Sequence, residues 1–367
     1  MMGLALTLGL MAVTPAAPDR LGASACGDCH GTAFESWRSS AHAVSATNAI
    51  YRAGFRVEPR QFCVDCHTST LARAEEGIGC ASCHAAAREA GAPAAGHAVA
   101  LRARADLRDP ALCRDCHEFA TPAFEEGAVR MTSLPMQRTY SEWLAYRAAG
   151  GAGTCQSCHM PGGDHGMRGA HDPDLLRRSL AVTVTDEASG ARLTLASAGV
   201  GHGFPTGDLF RHLTVEVRAA GDAREDAWRV VDRMGRRFET RLDGATMRAY
   251  KVETADTALV PGVPRVVALG TGRGRLEWRV RYHYGSERDE RRGVVTAEAL
   301  FATLATGTID GPSRARLGQG APPRADYSAS PRAAWPAFSR ARSRRRRAEL
   351  SLGSRATAAL YSRSASR

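Results

Sequence analysis

The chain has no cysteine outside five short motifs, and all ten of its cysteines fall between Cys26 and Cys158. It also has no apolar run long enough to span a bilayer, because the most apolar stretch, residues 4–13, is about half the length that a spanning helix needs. No Ser/His/Asp set or recognisable cofactor loop lies elsewhere in the sequence. The chemistry of this chain is therefore expected to reside in the five motifs.

Each motif has the form Cys-x-x-Cys-His. The motif residues are Cys26, Cys29 and His30; Cys63, Cys66 and His67; Cys80, Cys83 and His84; Cys113, Cys116 and His117; and Cys155, Cys158 and His159. This spacing is the attachment signature of c-type haem, in which two thiols bond to the haem vinyls and the histidine reaches the iron. A zinc knuckle or a thioredoxin-like pair requires no histidine after every pair. The sequence predicts five covalent haem c groups.

Residues 1–23 are interpreted as a signal peptide. Residues 4–13 are apolar, and Ala16 and Ala17 are small residues at which cleavage is plausible. The usual basic segment is lacking, which leaves open an upstream start, an uncleaved anchor or a disordered leader. Haem attachment requires thiols outside the reducing cytoplasm. We therefore expect the protein in the periplasm or on the extracytoplasmic face of a bacterial cell envelope.

The fold class expected is multidomain α + β. Residues 24–178 hold all five motifs and too few apolar side chains for an ordinary core, so the stacked porphyrins are expected to be the core of a mostly α or irregular pentahaem domain. Helices are predicted over 32–45 and 139–149, and a loop over 90–96. The gap between the second and third motifs is the shortest, which predicts that these two haems are close neighbours.

Residues 179–312 contain no cysteine and alternate with a period of two. The alternation covers residues 180–185, 213–218 and 276–284, and predicts half-buried antiparallel strands of a β-sandwich domain. Residues 225–240 are ambiguous between helix and strand.

Residues 313–367 form an Arg/Ser-rich tail that is predicted to be disordered. The tail has 13 arginines, no lysine and two acids, so it accounts for the whole net charge of +11, and the rest of the chain is neutral. The high pI thus gives no indication of nucleic-acid binding. The tail is interpreted either as a docking segment for anionic lipid or an acidic partner, which leaves peripheral membrane association open, or as a solvated tail or an out-of-frame extension.

A haem iron has a second axial position, and what fills it decides between carrier and catalyst. Seven histidines lie outside the motifs. His212 and His283 share the polar faces of predicted strands and are expected to point to solvent. The other five equal the irons in number: His42, His97, His165, His171 and His202. Full bis-histidine ligation is therefore feasible, with a structural role as the alternative for each.

His42 is the best of these candidates. It ends the first predicted helix, where twelve residues rise about 18 Å, so it is expected to ligate a neighbouring haem. Methionine is the other common axial ligand, and the haem segment contains Met131, Met136, Met160 and Met167. Because methionine commonly fills irregular gaps, packing is the favoured role for these four.

Several stretches carry a resemblance to known multihaem proteins. Residues 26–42, CGDCHGTAFESWRSSAH, resemble the opening of multihaem cytochromes of the cytochrome c-552/c-554 class, which are related to hydroxylamine-oxidoreductase electron carriers. GIGCASCH with His97 resembles the third motif of that class. PMQRTYSEW, CQSCHMP and GAHD resemble a bacterial multihaem group that carries a GHxFPTG β-domain, which is GHGFPTG here.

The resemblance implies that His42 is a distal ligand. It also argues against nitrite reductase activity. Pentahaem nitrite reductases usually carry lysine in place of histidine at the catalytic motif, and all five motifs here carry histidine.

The function expected is electron transfer between periplasmic or membrane-bound redox proteins. One alternative is an oxidoreductase acting on a small nitrogen or sulfur compound at one five-coordinate haem. Another is a non-catalytic subunit whose β-domain docks a partner. The oligomeric state is not indicated by the sequence.

Overall fold

The computed structural model describes residues 22–57, 59–68, 76–86, 95–97, 99–125, 128–187, 190–242, 244, 249–270, 274–286 and 296–310. These residues belong to one compact unit. The predicted signal peptide up to residue 21, most of the predicted loop at 90–96 and the Arg/Ser-rich tail lie outside the described residues. Among the helices described, none combines the length and the apolar character that crossing a membrane requires.

Short helices carry the motif residues. The helices are α1 Ala23–Gly27, α2 Gly31–Arg38, α3 Ala49–Val57, α4 Gln61–His67, α5 Cys80–His84, α6 Arg104–Arg108, α7 Arg114–His117, α8 Thr139–Ala148, α9 Cys155–His159, α10 Pro173–Arg178 and α11 Ala297–Leu300. Residues three and four apart share one face of a helix. In the second, third and fifth motifs, one short helix therefore places both thiols and the histidine on the same side.

The first predicted helix is shorter than expected, and the second is confirmed as α8. Helix α2 ends at Arg38, so residues 39–47 form turns and His42 does not stand at a helix end. Serine hydroxyls that bond to nearby backbone compete with helix formation. The Ser39 hydroxyl donates to the Ser36 carbonyl at 2.9 Å, and the Ser40 hydroxyl accepts from the Ala43 N–H at 3.2 Å.

A β-hairpin that was not predicted interrupts the haem segment. Strands β1 Glu118–Glu125 and β2 Ala128–Arg138 pair antiparallel, immediately after the fourth motif. The strands do not show a clean alternation because their register shifts twice, on either side of Ala120. The hairpin carries Met131 and Met136 and leads directly into α8.

The predicted strands beyond residue 179 are confirmed, and all the pairings are antiparallel. The strands are β3 Leu180–Glu187, β4 Gly190–Ser197, β5 His212–Ala219, β6 Arg229–Leu242, β7 Ala249–Asp256, β8 Arg265–Ala268, β9 Arg275–His283 and β10 Phe301–Asp310. One sheet has the order β10-β9-β5-β6-β7 and the other β3-β4-β8. The ambiguous segment is a short 3-10 turn followed by β6.

Side chains from both sheets share one hydrophobic core. Leu193 and Leu195 of β4 are fully buried in the same cluster as Val215 of β5 and Val280 of β9. This shared core supports the β-sandwich, which stays a prediction.

The expectation that His212 and His283 point to solvent is wrong. Both are buried, and their rings stack at 4.2 Å. Their face of the sheet is polar but covered, because the segment before β6 lies over it: Trp228 packs on the Arg279 guanidinium, 4.0 Å from the ring centre. Alternation in the sequence shows that the two faces of a strand differ in polarity, but it does not show that the polar face is exposed to solvent.

Candidate functional site

One large open cavity lies among the haem motifs. Its volume is about 2730 Å³, and residues from all five motifs line it. All ten cysteines are described, and none of them forms a disulfide. The thiols are therefore available for covalent attachment of a cofactor.

Four of the five motif histidines each lie close to one non-motif histidine. The ring centres are 6.2 Å apart for His30 and His97, 6.1 Å for His84 and His165, 6.3 Å for His117 and His42, and 6.2 Å for His159 and His202. We call these the four histidine pairs.

The separation within these pairs fits a metal ion between the rings. Two metal–nitrogen bonds of about 2 Å each, plus the distance from each nitrogen to its ring centre, give roughly 6 Å. Rings in direct contact lie closer, as in the stack of His212 on His283 at 4.2 Å. The four histidine pairs therefore fit axial ligation of haem iron, and each would use one ring nitrogen.

The other ring nitrogen of each distal histidine already has a partner. Nδ1 of His97 lies 2.9 Å from the Ala95 carbonyl oxygen. Nδ1 of His165 lies 2.8 Å from the Gly163 carbonyl, and Nδ1 of His202 lies 2.9 Å from the Gly203 carbonyl. A carbonyl accepts a hydrogen bond, so Nδ1 carries the proton and Nε2 is the nitrogen available to a metal.

His42 is held by the segment that precedes the third motif. Its carbonyl accepts from the Ile78 N–H at 2.9 Å, and the Ile78 carbonyl accepts from the Trp37 indole at 2.9 Å. Nδ1 of His42 lies 2.6 Å from the Met167 sulfur. His42 lies beside His117 of the fourth motif, and its role as the ligand of a neighbouring haem stays a prediction.

His202 is positioned by a buried carboxylate. Glu142 of α8 accepts from the Gly203 N–H at 3.0 Å and from the Thr206 hydroxyl at 2.6 Å. Burial raises the pKa of Glu142, while Thr206 and Arg138 oppose this effect. Glu142 is a functional residue that the sequence reasoning missed, because an acid within a short helix gives no signal that it is buried.

Two histidines of the four pairs have lowered pKa values, which favour the neutral form that binds metal. Burial lowers the pKa of His117 to about 4, and the charge of His42 adds to this effect. Burial also lowers the pKa of His202 to about 4, against the opposing hydrogen bond to Gly203.

His67 of the second motif differs from the other motif histidines. Its ring stacks on Tyr51 of α3 at 3.9 Å with an interplanar angle of 7°, and its Nδ1 lies 3.3 Å from the Ser45 carbonyl oxygen. Among the ring contacts of the described residues, His67 has no histidine partner at the spacing of the four pairs.

His171 is the predicted distal ligand that the structure does not bring to a motif histidine. It stacks on Tyr284 with ring centres 5.1 Å apart, and the Tyr284 hydroxyl donates to the Ala170 carbonyl at 2.8 Å. Burial lowers the pKa of His171 to about 4, with Arg211 contributing. His171 lines the same cavity as His67, and its assignment as a ligand stays a prediction.

The methionine candidates do not compete with the histidine pairs. Met167 contacts the Nδ1 side of His42. Met131 is 42 % exposed on the hairpin. Met136 and Met160 line the cavity without displacing a histidine from its pair.

Thiols from different motifs lie next to each other. Three pairs of cysteines from different motifs are neighbours: Cys26 and Cys80, Cys66 and Cys116, and Cys113 and Cys155. The first motif therefore adjoins the third, and the fourth adjoins both the second and the fifth. The prediction that the second and third haems are close neighbours stays a prediction.

Comparison with known proteins gives one family match and one structural likeness. Residues 25–85 match the family model described as cytochrome c554 and c-prime. The fold is similar to that of a penta-haem cytochrome c552 from Thermochromatium tepidum, with a TM-score of 0.53 and 19% identity over 80% of this chain and 99% of that chain. No curated protein matches the sequence.

The match places the likeness to that family in residues 25–85, and the structural likeness concerns the fold. The residues present fit haem c, because free thiols and neutral, oriented imidazoles are what covalent attachment and axial ligation require.

Proposed function

We propose that this protein is an exported electron-transfer cytochrome that carries five covalent haems. It would pass single electrons between periplasmic or membrane-bound redox proteins. The four histidine pairs are the observation that carries this proposal, because iron held by two histidines has no open position for a substrate.

Bound haem would supply the one-electron chemistry, and the chain supplies ligands, orientation and burial. Carbonyl groups orient three distal imidazoles through Nδ1. Glu142 fixes the loop that carries His202, and Trp37 fixes the segment that carries His42. These contacts keep the ligands in place during oxidation and reduction.

Mass and electron-transfer measurements on the purified holoprotein test this proposal. The intact mass should exceed that of the polypeptide by five haems, and acid–acetone should extract none of them. Reduction by a soluble donor and reoxidation by an acceptor should be fast and should need no small-molecule substrate. An intact mass that corresponds to bound zinc, or to fewer than four haems per chain, would contradict the proposal.

Export and membrane contact are part of the same proposal. Haem attachment outside the cytoplasm supports export, and the arginine-rich tail supports peripheral contact with anionic lipid. Fractionation of cells that express the full chain tests both: the holoprotein should be periplasmic or released from membranes by salt. Recovery of holoprotein from the cytoplasm alone would contradict this location.

A second candidate function is favoured by His67. Because His67 stacks on Tyr51 rather than pairing with a histidine, the iron of the second haem is the one at which a small nitrogen or sulfur compound would bind. Asp208 lines the same cavity as His67. An acid in this cavity would hold or deliver a proton during reduction.

Turnover assays with an Asp208 variant separate the two candidates. Reduction of nitrite, hydroxylamine or a sulfur oxyanion should be saturable and should fall at least tenfold in Asp208→Asn. Asp226→Asn, which changes an exposed acid on the β-region, is the matched control. Absence of substrate-saturable turnover in the wild type would leave the carrier role alone.

A further inference from the structure

The hydrogen bond of His42 differs from those of the other distal histidines. His97, His165 and His202 each have a backbone carbonyl oxygen at 2.8–2.9 Å from Nδ1. His42 has the Met167 thioether instead, at 2.6 Å. A thioether sulfur is a weak acceptor, whereas a carbonyl oxygen is a strong one.

The backbone of Met167 is built for this contact. Among the described residues, Met167 is the non-glycine residue with a positive φ, at 42°. This region is uncommon for residues other than glycine, asparagine and aspartate. The strain persists because the surrounding chain fixes the segment on both sides.

Two contacts provide that fixation. Asp164 accepts a hydrogen bond from the Ser36 hydroxyl of α2. On the other side, the Arg168 carbonyl lies 2.6 Å from Nδ1 of His159. Met167 is thus tied between the ligand of the fifth haem and the helix that follows the first motif.

The fourth motif has the most central position among the thiols. Cys116 adjoins Cys66 of the second motif, and Cys113 adjoins Cys155 of the fifth. Cys116 also lies near Cys83 of the third. A haem held by the fourth motif would therefore lie near those of the second, third and fifth motifs.

The hydrogen-bond acceptor at Nδ1 affects the basicity of the His42 imidazole, and through it the reduction potential of the haem. A strong acceptor on Nδ1–H makes the imidazole more electron-rich, which favours ferric iron and lowers the reduction potential. We propose that Met167 is a positioning residue that raises the reduction potential of the haem held by His117 and His42, because it gives His42 a weak acceptor. Electrons that reach this haem from any neighbour would then collect there.

This inference rests on the proposed haem ligation by His42. The test is a redox titration of the holoprotein followed by EPR, in wild type, Met167→Leu and Met167→Gln. The low-spin signal that is lost in His42→Ala identifies the fourth haem. Met131→Gln, which makes the same change on the exposed part of the hairpin, is the matched control.

Met167→Gln supplies an amide carbonyl and should lower the midpoint of that signal by at least 59 mV, a tenfold change in the one-electron equilibrium constant. The midpoint potential of the fourth haem in Met167→Leu should equal or exceed that of the wild type, and the wild-type value should exceed that of Met167→Gln. The midpoints of the other haems, and all midpoints in the control variant, should be unchanged. Any other order overturns the inference. If the glutamine variant does not assemble, a leucine midpoint below that of wild type overturns it, and one at or above wild type supports it.

The failure of the proposed ligation would look different. In that case His42→Ala would remove no low-spin signal, and no midpoint could be assigned to the pair. An intact assignment with an unshifted midpoint in Met167→Gln would leave the ligation standing and reject the role of Met167.

Discussion

At the scale of single residues, the hydrogen bond that a histidine makes through Nδ1 determines whether Nε2 is available to a metal. A histidine whose Nδ1 is bonded to a carbonyl presents Nε2 in a fixed direction. This arrangement is present for His97, His165 and His202, and it lies beyond what residue spacing in the sequence can indicate.

Replacement of His42 tests the pair with His117. In His42→Ala one haem should become high-spin, and the remaining low-spin haems should be unchanged, because the rings of this pair, 6.3 Å apart, would ligate one iron. Visible and EPR spectra of the ferric protein measure this. Spectra identical to those of the wild type would mean that His42 is not a ligand.

Replacement of His171 should have the opposite result. His171 stacks on Tyr284, so His171→Ala should create no additional high-spin haem. The number of low-spin haems per chain, counted by EPR against total haem, is the measurement. The appearance of a new high-spin signal would restore His171 as a ligand.

Glu142 offers a test of indirect positioning. Glu142→Ala leaves the Gly203 N–H and the Thr206 hydroxyl without their acceptor, at a cost of about 1–3 kcal/mol. The loop carrying His202 should loosen, and part of the fifth haem should become high-spin. Glu142→Gln, which keeps an acceptor oxygen, is the control and should be milder. Equal low-spin content in all three proteins would reject this role.

At the scale of elements, periodicity predicted strands better than it predicted helix ends. The strands around Leu213 and Trp278 follow the alternation of the sequence, because one face of each packs into a dry core. Helix α2 stops at Arg38, where serine hydroxyls bond to the backbone and helical periodicity gives no warning. The motif residues and the candidate His42 could be named from the sequence, whereas the stacking of His67 on Tyr51 depends on three-dimensional packing.

The ion pairs of Glu225 on the covered polar face of the larger sheet are expected to affect the stability of the protein in acid. Hydrogen bonds from Arg279, followed by the Arg281 contact, lower the pKa of Glu225 to about 2. Since the folded pKa lies below the unfolded value of about 4.3, the stabilisation is present above that value and is lost as the pH falls towards 2.

Glu225→Gln lacks this contribution. The variant should be less stable than the wild type at pH 6, by less than about 1 kcal/mol because the Glu225 side chain is 68% exposed. Its free energy of unfolding should also fall less between about pH 5 and pH 2. Urea titrations over that range measure the difference. Parallel pH profiles for the two proteins would contradict the assignment.

At the scale of the whole molecule, the β-region and the haem segment hold each other in place. Arg236 of β6 donates to the Met136 carbonyl of the hairpin at 3.0 Å and pairs with Glu253 of β7 at 2.8 Å. The loop before β5 supplies His202 to the fifth motif. The β-region therefore brings His202, a candidate ligand already named from the sequence, next to the fifth motif.

The most direct test of the central claim is a quantitative EPR spin count on the fully oxidised holoprotein. We predict four low-spin ferric haems per chain, one for each histidine pair, and one haem that is not bis-histidine at His67. Any count other than four low-spin haems would contradict the claim that the four histidine pairs are the axial ligands.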